Sequence, residues 1–173
     1  DVYKRQGPRG GQGVGSEGRA AGLAPAGVRY WRAAVLWPAH SPARSAALQG
    51  ALQGKRVLVT GAGRGIGKAT ALRIASEGGL LVCTDVQAEA VEATAKEICE
   101  AGGKAVGFVS DVSDPASVAE AMERTLAEYG QLDSLCNIAG ILHFDNTHDL
   151  ELEKWNRILA VNLTGTFLMC QAA

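Results

Sequence analysis

Four glycines at alternate positions, Gly61, Gly63, Gly65 and Gly67, follow an apolar β-branched run, Val57-Leu58-Val59, in the stretch RVLVTGAGRGIG. A helical pattern begins directly after them. Glycine permits a sharp turn and removes the Cβ that would hold a ligand off the backbone. A helix opening from such a turn presents unpaired N–H groups and the positive end of its dipole. The chemistry suited to this spacing is the binding of a phosphate or pyrophosphate, and Arg64 in the turn adds a cation within reach of one.

A carboxylate follows at the right remove. Asp85 ends the next apolar run, Leu80–Thr84. In that position it can accept hydrogen bonds from the ribose hydroxyls of adenosine and would repel a 2′-phosphate, so NAD(H) is preferred over NADP(H). Arg64, a cation that could reach that phosphate, is a mild counter-signal that Asp85 outweighs. Asp85 can also be read as an acid at the N-terminus of the helix after it. The common dinucleotide fingerprint G-x-G-x-x-G, started at Gly61, fails at Ile66. The stretch instead fits T-G-x-x-x-G-x-G through Thr60, Gly61, Gly65 and Gly67. That pattern resembles the short-chain dehydrogenase/reductase family, which uses a longer glycine turn than other Rossmann enzymes.

The resemblance implies roles for further residues. Gly61, Gly63, Arg64, Gly65, Ile66, Gly67, Asp85 and Val86 belong to the cofactor site. Asp111-Val112 is similar to the family's adenine site, with Asp111 near the ring amine and Val112 on its face; locally, Asp111 also reads as a turn residue. Asn137-Ile138-Ala139-Gly140 resembles the family's Asn-Asn-Ala-Gly. There Asn137 ties adjacent strands through its amide, while Ala139 and Gly140 leave room for the nicotinamide ribose. Val161–Phe167 is similar to V-N-L-x-G-x-F, whose Asn, here Asn162, holds a water in a proton relay. The alternative for Asn162 is a bond to local backbone. His143 and His148, with no visible partner, read as surface or substrate-rim residues.

The elements that must position these residues alternate strand and helix, which predicts βαβ units and a parallel sheet. Strands are expected at Arg56–Thr60, Leu80–Thr84, Ala105–Ser110 and Leu132–Asn137. Helices are expected at Gly65–Glu77, with Gly67, Ala71, Ile74 and Gly78 on one face, and at Ala88–Ala101, burying Val91, Ala95 and Ile98. Asp114 caps a third helix at Pro115, with Val118, Met122, Thr125 and Tyr129 aligned and Gly130 ending it. A last helix runs from about Leu150, capped by Asp149, with Trp155, Leu159, Asn162 and Thr166 sharing a face. The resemblance implies a Rossmann-type, doubly wound parallel α/β sheet of order 3-2-1-4, truncated after the fourth strand and its helix. The open edge of that strand predicts marginal stability or aggregation.

Composition bounds the remaining possibilities. The chain has 173 residues, 47% hydrophobic and 20% charged, with net charge −1, and so no global signal for nucleic acid. No run approaches the roughly 18 apolar residues of a membrane span. Cys83, Cys99, Cys136 and Cys170 are scattered without a C-x-x-C pair, which suits buried free thiols and a reducing, cytoplasmic compartment better than disulfides or a metal. Residues 1–50 hold seven Lys/Arg against two acids and four of the five prolines; ten basic and sixteen acidic residues follow. The chain starts at Asp1 without Met, and Asp1–Gln6 back-translates to a sequence that resembles a transposon-end sequencing adapter. Residues 1–47 are therefore expected to be a non-native or disordered extension, with no role for Trp31, Trp37 or His40, and the domain to be 48–173.

The family's catalytic Ser and Tyr-x-x-x-Lys belong to later elements. Tyr3, Tyr30 and Tyr129 each lack a Lys four residues on. The resemblance, nearest to the 3-oxoacyl-carrier-protein reductase type, thus covers the cofactor-binding half. It implies an NAD(H)-dependent oxidoreductase acting on a small alcohol or carbonyl compound, of which an acyl-carrier-protein thioester is one form, and a homodimer or homotetramer at full length. The chain alone is expected to be inactive; the rival reading is a non-catalytic fragment that binds a nucleotide or a partner.

Overall fold

The computed structural model describes residues 50–173. The expectations for the extension, for Tyr3, Tyr30, Trp31, Trp37 and His40, and for the first residues of the proposed domain lie outside them. Four strands, β1 (Arg56–Thr60), β2 (Leu80–Asp85), β3 (Lys104–Val109) and β4 (Ser134–Cys136), form one sheet in the order β3-β2-β1-β4. Every pairing is parallel, with Val57 opposite Leu81 and Ser134, and Leu81 opposite Ala105. The helices are α1 (Gly65–Ser76), α2 (Ala88–Glu100), α3 (Pro115–Tyr129), α4 (Leu152–Leu159) and α5 (Thr166–Ala172), the last two joined by a π-helical segment, Ala160–Gly165.

Strand alternation sends side chains to two cores. Val57, Val59, Leu81 and Cys83 pack with Ala71 and Ile74 of α1 and Val91 and Ile98 of α2. Leu58, Val82 and Phe108 face the opposite way, onto Val118 and Met122 of α3, Val161 and Met169. Each fully buried Leu or Val contributes about 1.5–3 kcal/mol. Asp114 Oδ1 accepts from Ala116 N–H as the α3 cap, and Gly130 closes the helix at φ 75°.

Departures from expectation have local causes. β4 is shorter at both ends because side chains replace ladder bonds there: Asp133 Oδ2 accepts from Arg56 N–H before it, and Thr60 Oγ1 accepts from Ile138 N–H after it. Asp149 does not cap the last helix. Its N–H bonds to Asn146 O in a turn, its carboxylate faces His148 Nε2 at 3.2 Å, and Glu151 takes the cap position. The last helix turns a neighbouring stripe inward: Val161, Gly165 and Met169 are buried, while Trp155 is 49% exposed and Asn162 is exposed. Of the four thiols, Cys83 is buried and Cys136 half-buried, but Cys99 and Cys170 are exposed.

Candidate functional site

The C-terminal ends of the strands open onto a cleft of about 310 Å³, within the usual range for small-molecule sites and where parallel sheets bind ligands. Its floor is the glycine turn. Gly61 has φ +67°, and a Cβ there would stand 2.8 Å from Ala139 Cα, so this glycine lets the β4 turn close over the β1 turn. A Cβ on Gly67 would overlap Gly61 O, which makes Gly67 the contact that seats α1 on the turn. Gly65 has φ +55° with nothing within 4 Å of its would-be Cβ: the space over it is the cleft. The α1 N-terminus has no side-chain cap and no acid in its first turn. Arg64, Ile66 and Gly67 line the cleft beside it.

Asp85 braces this floor. Its Oδ2 accepts from Gly63 N–H at 3.0 Å and its Oδ1 from Gln87 N–H at 3.1 Å. Gly63 lies behind the cleft wall, and its missing Cβ is what admits the carboxylate. Asp85, Val86 and Gln87 line the wall. Asp85 therefore sits at the strand end where a ribose-binding carboxylate is expected, and it also holds the entry to α2.

Asp111 and Val112 line the next stretch of wall. Asp111 Oδ1 accepts from Ser113 N–H and Ser113 Oγ, at 2.9 and 2.6 Å, which is the turn geometry. Its Oδ2 accepts from Arg157 Nη2 at 3.1 Å. Burial opposes ionisation here, but the Ser113 hydrogen bonds and the Arg157 guanidinium outweigh it and hold the carboxyl below the usual range. Val112 packs under Gly165, where a Cβ would lie 2.7 Å from Val112 Cγ2.

Ala139 and Gly140 line the far side, with Ile138 and Ile141. The element joining this turn to β1 is Thr60, whose Oγ1 accepts from Ile138 and Ala139 N–H and donates to Cys136 O. The amide of Asn137 does not tie strands: Nδ2 donates to Cys170 Sγ at 3.3 Å, outside the cleft lining. Asn162 also lies off the lining. Its Oδ1 accepts from Ile141 N–H and its Nδ2 donates to Ile141 O, so it clips that loop through two backbone bonds spanning 21 residues. Sequence reasoning missed Arg157, whose helix position carries no motif, and Thr60's role as a joint.

A family model described as short chain dehydrogenase matches residues 55–173. The chain belongs to the short-chain dehydrogenase family. It is 45% identical over 121 residues to the D-threitol dehydrogenase of Mycolicibacterium smegmatis, covering 70% of this chain and 46% of that protein. It is 37% identical over 121 residues to a (2S)-[(R)-hydroxy(phenyl)methyl]succinyl-CoA dehydrogenase subunit of Thauera aromatica, covering 70% and 49%. A solved short chain dehydrogenase from Mycobacterium smegmatis superposes with TM-score 0.69 at 35% identity, covering 71% of this chain and 52% of that one. The chain thus spans about half the length of these short-chain dehydrogenase relatives. The family uses nicotinamide cofactors, and the open space over Gly65, the uncapped helix end and the two wall carboxylates fit a dinucleotide's phosphates, ribose and base.

Among the described residues no helix is long and apolar enough to cross a membrane, and no group of His, Cys, Asp or Glu is placed to hold a metal.

Proposed function

We propose that this chain supplies the NAD(H)-binding half of an oxidoreductase that interconverts an alcohol and a carbonyl compound. The observation that carries it is the uncapped α1 N-terminus opening from Gly65 beneath a cleft walled by Asp85 and Asp111. Gly61, Gly65 and the first turn of α1 hold the pyrophosphate, Asp85 the adenosine ribose, Asp111 and Val112 the base, and Ala139 and Gly140 the nicotinamide ribose. When bound, the nicotinamide supplies the hydride acceptor or donor. Asn162 acts here by fixing Ile141, at the cleft's far end, to the last helix.

Turnover also needs a group to move the proton that accompanies hydride transfer. Tyr129, the one tyrosine among the described residues, donates to Leu81 O, and burial followed by Glu128 pushes it up to about 12. It is no acid–base group for the cleft. The chain is expected to bind nucleotide without turnover, and the substrate is proposed at the level of an alcohol–carbonyl pair.

Calorimetric titration of the 173-residue chain tests this. NADH should bind more tightly than NADPH, and Asp85→Ala should cut that preference by about tenfold, the scale of a hydrogen bond to a charged group. Binding of neither nucleotide would sink the reading. Equal binding of both by the wild type would overturn only the NAD(H) preference.

A further inference from the structure

The carboxylate of Asp111 has an uneven set of partners. Its two oxygens offer about four acceptor positions. Ser113 N–H and Ser113 Oγ fill those of Oδ1, and Arg157 Nη2 takes one of Oδ2. Among the described residues, one position on Oδ2 is left, in a residue that lines the cleft. The main chain is pinned as well: Asp111 N–H donates to Ser117 Oγ and Asp111 O accepts from Asp114 N–H. The turn itself cannot swivel to present a different atom.

Arg157 decides where that remaining position points. It comes from α4, a separate element, and its guanidinium spans the turn by donating Nη1 to Ser113 Oγ at 2.7 Å and Nη2 to Asp111. One donor holds Asp111 Oδ2, and the other holds Ser113 Oγ, which itself donates to Asp111 Oδ1. The planar guanidinium thus braces the carboxylate directly at one oxygen and through Ser113 at the other. Its own side chain also lines the cleft.

We propose that Arg157 is a positioning residue that sets the base preference of the cleft, by holding the last acceptor of Asp111 ready for a purine with an exocyclic amine and against one with a keto oxygen there. The inference rests on the dinucleotide reading above. An ionised carboxylate only accepts hydrogen bonds, so an amine is bound and a carbonyl oxygen in the same place is repelled. Adenine satisfies this arrangement and hypoxanthine does not.

The experiment is calorimetric titration of the full chain with NADH and with reduced nicotinamide hypoxanthine dinucleotide. It is done on wild type, Arg157→Met and Arg157→Lys, with folding checked by thermal melt. Wild type should prefer the adenine dinucleotide by about tenfold or more. Arg157→Met should bring the two towards parity by weakening the adenine form, and Arg157→Lys should keep an intermediate preference. If Arg157→Met is unfolded, the Lys variant decides: an unchanged ratio overturns the proposal. Equal weakening of both nucleotides would make Arg157 merely structural and overturn it too, as would a wild type without preference. A wild type that binds neither nucleotide removes the dinucleotide reading itself, and this inference with it.

Discussion

Thr60 is 1% exposed, and its hydroxyl makes one donated and two accepted hydrogen bonds, all to the backbone around the β4 turn. That is the full capacity of a hydroxyl. It joins the first glycine motif to the Ile138-Ala139-Gly140 wall without any side chain from the second motif. Thr60→Val keeps the shape but strands two N–H groups and a carbonyl, at a cost of about 1–3 kcal/mol. Urea denaturation should show that loss, with Thr60→Ser closer to wild type; an unchanged midpoint for Thr60→Val would refute the role. The residue was legible as part of T-G-x-x-x-G-x-G, yet nothing in that motif says what its hydroxyl touches. The converse holds for Asn137, whose motif suggested a strand tie and whose amide goes to Cys170 Sγ.

At the scale of elements, the glycines of the β1–α1 turn divide by what a side chain would meet. A Cβ on Gly67 would strike Gly61 O, which is backbone and cannot step aside. Gly67→Ala should therefore cost stability, about 1–3 kcal/mol as overpacking does. Gly65→Ala meets no neighbour and loses only the comfort of its φ of +55°, about 1–2 kcal/mol. Its Cβ, however, enters the space over the helix N-terminus, where a phosphate would lie. Melting curves and NADH titrations should separate the pair: Gly67→Ala lowers the melting temperature more, and Gly65→Ala loses affinity while staying folded. The reverse pattern would refute this division. The last helix teaches a related lesson. Its existence was plain from its period, but the stripe that turns inward carries Val161, Gly165 and Met169 rather than Trp155, Leu159, Asn162 and Thr166. Helical spacing shows a period, and which of two adjacent stripes is buried depends on what the helix packs against.

Over the whole molecule, two acids among the described residues, both with lowered carboxyl pKa values, tie segments far apart in the chain. Asp133 ties the approach to β4 to the start of β1, and the backbone hydrogen bond from Arg56, then the guanidinium, hold its carboxyl below the usual range. Asp111 is lowered in the same direction. A carboxyl whose folded value is depressed adds stability above its unfolded value, about 3.9, and loses it as pH falls through the folded value. Asp133→Asn should therefore melt below wild type at neutral pH, with the gap closing as pH drops below about 4. A gap constant from pH 7 to pH 3 would contradict the linkage.

Family resemblance proposed thirteen cofactor residues, of which eleven line one cleft. By itself the sequence determined the alternation of strands and helices, β1 and the start of each of the first three helices. These follow from local causes: β-branched runs, a Pro and Asp at a helix start, and glycines where a backbone must turn. The sheet order 3-2-1-4 came through family resemblance, and the structure bears it out. Tertiary structure alone decided that Arg157 faces Asp111 across 46 residues, that Thr60 rather than Asn137 joins β1 to the β4 turn, and that Asn162 clips Ile141. Each of those is a hydrogen bond between groups far apart in the chain. Its direction depends on how two packed elements are rotated, and no spacing along the sequence records that rotation.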